Sequence, residues 1–292
     1  MSQGVERPEA LRGAYAHCEA LAREGERDRW LSALFAGEAA RPHFHALAAF
    51  DHEIARIRIV AREPLAGEMR LAWWREAIGG ERDGEARAHP VGAALMDTIE
   101  AFALPRQAFE NLLLARTFDL YDDPMPTWRD LEGYCGETTS ILFQCAALIL
   151  GEGRDLGAAE ASGHAGVAAG VTNVLRRFAE TSARGQVYLP IEVLARHDVS
   201  ADDVRARRDS AGLRAVLAEL AGKARRHLEE AEATLAALPK SVIPAYVPLG
   251  ALRLDLARLE RRRGSPFEPF AAPAAWRRQW ALWRWARAQR GG

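Results

Sequence analysis

The sequence predicts an all-α fold, a helical bundle around a central cavity, and three observations carry that expectation. Apolar residues recur at helical spacing in almost every segment. No alternating run bounded by turn residues reads as a strand pair. Proline, glycine and capping residues break the pattern at helix-length intervals. With 292 residues, 49% of them hydrophobic, the chain can bury a large core, and a single domain over 1–292 is expected. Residues 274–290 form a peripheral C-terminal helix in this reading.

Taken in order, Leu11, Tyr15 and Cys18 share a face of a first helix, and Trp30, Leu31, Leu34 and Phe35 form the apolar side of a second. A third starts after Pro42, carries Phe44, Leu47, Ile54 and Ile57 on one side, and ends before Pro64. The next runs from Leu65 to Ile78 and stops at Gly79-Gly80, followed by a polar loop from Glu81 to His89. Pro90 opens a helix reaching about Phe102, and Leu104-Pro105 separates it from one holding Phe109, Leu112, Leu113, Phe118 and Tyr121. Asp122-Asp123-Pro124 breaks the chain. Thr127, with Asp130 three residues on, caps a long helix to about Leu150 that is apolar on most sides in its second half and belongs at the centre.

A helix from about Leu156 to Ala179 follows, with Gly163, Gly166 and Gly170 permitting close contacts. No strand precedes these glycines, so they do not form a dinucleotide fingerprint. Beyond Pro190 a short helix reaches about Arg196, and Ser200 caps another that begins Ala201-Asp202-Asp203. Long helices then span Ser210 to Leu238 and Tyr246 to Arg262.

A formal charge of -1 gives no global reason for a nucleic-acid partner. Cys18, Cys135 and Cys145 are odd in number and lack a Cys-x-x-Cys pair, against a disulfide framework or structural zinc. A reducing cytosol is the natural reading, with peripheral contact at the inner face of a membrane as an addition to it. The N-terminal MSQGVERPEALRG lacks the apolar core of a signal peptide, and the run Ile141 to Leu150 is too short to span a bilayer. His43 and His45 stand at i, i+2 and point apart, which rules out a shared metal and suggests surface or capping roles. Arg205, Arg207, Arg208, Arg225, Arg226 and His227 read as solvated faces balanced by nearby acids.

The stretch Ser162 to Pro190, SGHAGVAAGVTNVLRRFAETSARGQVYLP, carries the functional signal. It resembles the second signature of the squalene/phytoene synthase family, a helix with Asn-x-x-Arg-Asp-x-x-Glu-Asp followed by a Gly-Arg-x-Tyr-Leu-Pro loop. Asn173, Arg176, Glu180, Gly185, Tyr188, Leu189 and Pro190 match, whereas Arg177 and Thr181 replace the aspartates. The first signature, Arg-x-x-Asp-Asp-x-x-Asp, falls in ALAAFDHEIARIRIV. There His52 takes the arginine's place, Ala55 and Arg56 the paired aspartates, and Ile59 the last one; Asp51 and Glu53 remain but are as readily solvated. Tyr134-Cys135 resembles the family's Tyr-Cys helix lead, and no histidine base is patterned with Cys135 to make it a nucleophile. Ala49 to Ala55 and the segment Gly67 to Trp74 resemble a divergent branch that includes a mitochondrial assembly factor for respiratory complex I.

The resemblance implies an isoprenoid-synthase fold. In the family's enzymes, carboxylates hold magnesium on the diphosphate of a prenyl substrate. Loss of aspartates from both signatures points instead to a non-catalytic binding or assembly protein with a respiratory-complex partner, with no catalytic or metal-binding residues and no cofactor. The alternative is a prenyltransferase making phytoene or squalene, which alone would require Mg2+. A prenyl diphosphate or lipid remains a candidate ligand in either case. Candidate anion-binding residues are His52, Arg56, Tyr134, Asn173, Arg176, Arg177, Glu180 and Tyr188. The competing arrangement pairs Arg56 and Arg177 with Glu53 and Glu180 and closes the pocket. Trp276, Trp280 and Trp283, with Arg277, Arg278, Arg284, Arg287 and Arg290, are membrane-contact candidates; packing of these tryptophans on the domain is the alternative.

Overall fold

The computed structural model describes residues 8–61 and 63–291; the N-terminal stretch read above against a signal peptide lies mostly outside them. Helix α1 (Glu9–Gly25) packs on α3 (Arg41–Val60) and α6 (Pro90–Ala101), with α2 (Arg27–Ala33) alongside. Helix α2 is shorter than its apolar pattern suggests: Leu34 caps it and is half exposed. Helix α4 (Pro64–Gly79) ends where Gly80 takes φ +97°, a conformation open to glycine without a Cβ clash.

The expected loop at Glu81–His89 instead holds a short helix, α5 (Asp83–Ala88). Its one turn is tied by Arg87 to Asp83 at i, i+4, 2.9 Å, and by the Trp73 indole donating to Glu85 at 3.0 Å. Helix α7 (Arg106–Ala115) runs into a 3-10 turn, Arg116–Leu120.

Thr127 caps α8 (Trp128–Cys135) in a reciprocal box with Asp130, as the spacing predicts. The helix expected to continue to Leu150 is interrupted by a π-helical segment, Gly136–Ser140, before α9 (Ile141–Leu150). The hydroxyl of Thr138 donates to the Tyr134 carbonyl at 2.6 Å within this widened turn, and Gly166 of α10 (Ala159–Arg176) lies directly against Ser140. Helix α10 also stops earlier than predicted. Arg177 leaves helical geometry at φ -92°, ψ 4°, and α11 (Phe178–Ala183) resumes at once.

After α12 (Ile191–Arg196) and α13 (Ala201–Arg205), capped by Ser200, comes the long α14 (Ala211–Leu235), capped by Ser210 and packed along α10. The helix predicted from Tyr246 instead starts after Pro248, as α16 (Leu249–Glu260), and Tyr246 closes a separate short helix, α15 (Ile243–Tyr246). Helix α17 (Ala275–Gly291) lies on α16.

Buried apolar side chains form one contiguous core from Ala14 to Ala286, and the described residues contain no strand. His43 and His45 are buried, not at the surface: the phenol of Tyr15 and the hydroxyl of Thr98 lie 3.0 and 2.9 Å from His43 Nδ1. His227 also departs from the solvated reading, being half-buried, whereas Arg207 is exposed as expected but carries contacts of its own. Arg207 donates to the carbonyls of Ala179 and Phe267, fixing the segment after α11, and His227 Nδ1 lies 3.0 Å from that of His164, with Glu132 at 3.2 Å from its Nε2.

Candidate functional site

Helices α3 and α10 face one another across an open cavity of about 660 Å³, closed on further sides by α2, α16 and the start of α17. A smaller recess of about 60 Å³ adjoins it, sharing Ala55, Ile59, Arg116, Gly170, Asn173 and Arg177 with the main space. Gly170, which lines both spaces, lets α10 lie close against α8, because a Cβ there would be driven into Cys135. The two stretches in which aspartates are missing therefore do confront each other, across space and not across packed side chains.

Of the sequence-predicted residues, His52, Arg56, Asn173, Arg176 and Arg177 line the main cavity, and Tyr134 and Tyr188 line the recess with Asn173 and Arg177. Glu180 lines neither. Its carboxylate is well exposed and meets Arg177 Nε at 3.6 Å, so half of the internal pairing exists. The other half does not: Glu53 turns toward His89, 3.8 Å away, and burial pushes its carboxyl up to about 7. Among the described residues, the close polar neighbour of Arg56 is the His52 ring, 3.4 Å distant; burial and then that guanidinium hold His52 below the usual imidazole range.

Asp51 is buried, not solvated, and belongs to a network that the sequence did not disclose. Arg116 donates to Asp51 at 3.1 Å, to Asp119 at 3.2 Å and to the Tyr134 phenol at 3.0 Å. Tyr134 and Tyr188 both donate to Asp119 Oδ1 at 2.7 Å, and the Gln186 amide donates to the Asp119 carbonyl at 2.8 Å. Burial, opposed for Tyr134 by Arg116 and reinforced for both by Asp119, raises the two phenols well above their ordinary range, so they remain donors.

A second network spans the far side. Asp255 of α16, almost fully buried, takes Arg278 at 2.6 Å and Arg176 at 3.2 Å, and Arg278 also binds Asp28 of α2. Arg278 is thus turned into the protein, contrary to its expected place on the outer face of the C-terminal helix. Sequence signals for these residues existed: Asp119 lies between Phe118 and Leu120, and Asp255 between Leu254 and Leu256, so each is a charge embedded in an apolar run that needs a buried partner.

Among the described residues that line cavity and recess, arginines outnumber carboxylates nine to five. Every lining carboxylate already faces an arginine: Asp51 and Asp119 through Arg116, Asp255 and Asp28 through Arg278, and Glu26 through Arg29 at 3.7 Å. Among the described residues no group of three or more His, Cys, Asp or Glu is placed to hold a metal ion. The donor set does not fit magnesium, a hard cation that needs several free oxygen ligands. It fits an anion. Arg58, Arg177 and Arg184 line the recess together, and burial, then the proximity of Arg177, lower the Arg184 pKa below the ordinary guanidinium value.

A helical bundle with two facing helices around a cavity, each bearing the remnant of a signature, is the architecture of the isoprenoid synthases. The chain belongs to the squalene/phytoene synthase family, whose model matches residues 22–284. It is 28% identical over 258 residues to the mouse protein "NADH dehydrogenase (ubiquinone) complex I, assembly factor 6", covering 88% of this chain and 77% of that one. To the phytoene synthase of Thermus thermophilus it is 33% identical over 195 residues, 64% of each chain. In structure it resembles the squalene synthase HpnC of Alicyclobacillus acidocaldarius, with a TM-score of 0.72, 26% identity, and coverage of 90% of this chain and 98% of the other. Among the described residues no helix is long and apolar enough to cross a membrane.

Proposed function

We propose that the protein is a family member that does not condense prenyl diphosphates and serves instead as a binding or assembly factor for a respiratory complex. One observation carries this reading: at the place where a prenyltransferase needs free carboxylates for magnesium, Asp51, Asp119, Asp28 and Asp255 are each bound to arginine, and Arg56 and Arg177 replace aspartates. Without oxygen ligands for the metal, charge on a departing diphosphate is not neutralised in the family's manner and the barrier to ionisation stays high. Similarity to the complex I assembly factors supports the partner class. In this reading the pocket works without a cofactor and holds an anionic group directly, a diphosphate, a phospholipid head group or an acidic partner side chain, with Arg56, Arg177 and Arg184 as donors and Asn173 beside them.

The test has three arms. Incubation with farnesyl or geranylgeranyl diphosphate and Mg2+ is expected to give no C30 or C40 product; robust magnesium-dependent formation of either establishes the prenyltransferase alternative, which the open cavity would accommodate. Calorimetry with pyrophosphate in chelator is expected to show binding that Arg56→Ala plus Arg177→Ala weakens about 100-fold, taking about 1.5 kcal/mol for each charge-assisted contact. Binding that requires magnesium rejects the anion site. Deletion of the gene in its own host is expected to reduce assembled complex I on native gels; an unchanged level rejects the partner.

A further inference from the structure

Helix α17 has two faces of opposite character. Leu282, Trp285 and Ala286 are buried against the domain, and the Trp285 indole donates to Glu232 at 2.8 Å. Arg278 on the same inward side locks the helix to Asp28 and Asp255. Outside, Trp276, Trp280 and Trp283 are 64, 55 and 40% exposed although each is among the most costly side chains to leave in water. At i, i+4 and i+7 they form one stripe. Trp280 and Trp283 stack with centroids 4.9 Å apart, while Arg277 lies over Trp276 at 5.2 Å and Arg287 over Trp283 at 5.3 Å.

Arg277 and Arg284 flank the stripe, and no acidic residue occurs from 275 to 291. The packing alternative therefore fails for Trp276, Trp280 and Trp283, and it is Trp285, outside that set, that packs on the domain.

We propose that this outer face docks on an anionic lipid surface. Amphipathic indoles favour the boundary between head groups and acyl chains, and the arginines beside them supply the complementary charge. The inward side of the same helix walls the cavity through Ala275 and Arg278. Docking through α17 thus brings the arginine-lined cavity within about one helix diameter, ~10 Å, of the head groups. A second copy of the chain covering the tryptophans is the competing occupant.

Removing α17 is the wrong perturbation, because it also strips Arg278, Leu282 and Trp285 from the domain. The test uses the full chain with Trp276→Ala, Trp280→Ala and Trp283→Ala combined, and separately Arg277→Glu, Arg284→Glu and Arg287→Glu combined, in flotation with phosphatidylcholine vesicles containing or lacking 30% phosphatidylglycerol. Wild type is expected to float with the anionic vesicles at least tenfold better than with neutral ones, to lose that binding in 0.5 M salt, and to show tryptophan quenching by brominated lipid. Both triple variants are expected to lose at least tenfold, whereas Leu65→Ser plus Met69→Ser, at exposed apolar sites on α4, is expected to float like wild type. Equal flotation by wild type and the tryptophan variant overturns the proposal. So does a wild-type dimer in sedimentation that the tryptophan variant dissolves.

Discussion

Replacing Arg116 by methionine removes the one cation that two nearly buried carboxylates share. The side chains of Arg116, Asp51 and Asp119 are 14, 10 and 11% exposed, so water cannot substitute for the guanidinium. Loss of one member of a buried ion pair costs about 3–5 kcal/mol, because the other charge is stranded. Two features place this case at the lower end: Asp119 keeps the Tyr134 and Tyr188 phenols at 2.7 Å, and Asp51 keeps Arg29 at 3.8 Å. A loss of about 3 kcal/mol at pH 7.5 follows, or roughly 6–12 °C in Tm. Urea unfolding measures it. Adding Asp51→Asn and Asp119→Asn to Arg116→Met is expected to recover more than half, since neutral amides leave no stranded charge while the residue at 119 still accepts from the tyrosines. Arg116→Met within 1 kcal/mol of wild type, or no recovery in the triple variant, refutes the view that charge compensation holds this side of the cavity together.

Two further predictions concern packing and pH. Gly166→Ala would press a methyl group into the backbone of Ser140 at the π-helical segment and is expected to cost about 2–3 kcal/mol, whereas Gly163→Ala, one turn earlier with no neighbour within 4 Å, is expected to be neutral or stabilising by up to about 1 kcal/mol; equal urea midpoints for the two would contradict the close approach of α10. Burial, and then the proximity of Asp51, push the Glu26 carboxyl up to about 7. The folded state therefore binds more protons there than the unfolded chain between about pH 4.5 and 7, and stability falls as pH rises through that window. Glu26→Gln escapes this loss, so it should match wild type near pH 4 and exceed it by about 1–2 kcal/mol at pH 8, a difference that a pH series of denaturant melts would reveal or exclude.

What the sequence determined by itself was local. Thr127, Ser200 and Ser210 marked helix starts because a cap and its backbone partner lie three residues apart, and Gly80 marked a stop because its own φ is positive. The replacements at Ala55, Arg56, Arg177 and Thr181 were legible because a signature has fixed spacing along one helix or into its loop. Tertiary structure alone decided which charges meet. Arg116 and Asp51 are 65 residues apart, Arg278 and Asp28 are 250 apart, and no periodicity relates such pairs. The apolar patterns likewise run smoothly over the breaks at Gly136 and Pro248, since what accompanies them is the close approach of α10 to Ser140, or the missing N–H of a proline, and not a change of pattern. The two faces of α17 were divided in the same way. Arginine and tryptophan occur on both, and only Asp28, Asp255 and Glu232, brought in from α2, α16 and α14, fix Arg278 and Trp285 inside and leave the remaining three tryptophans of that helix in the open.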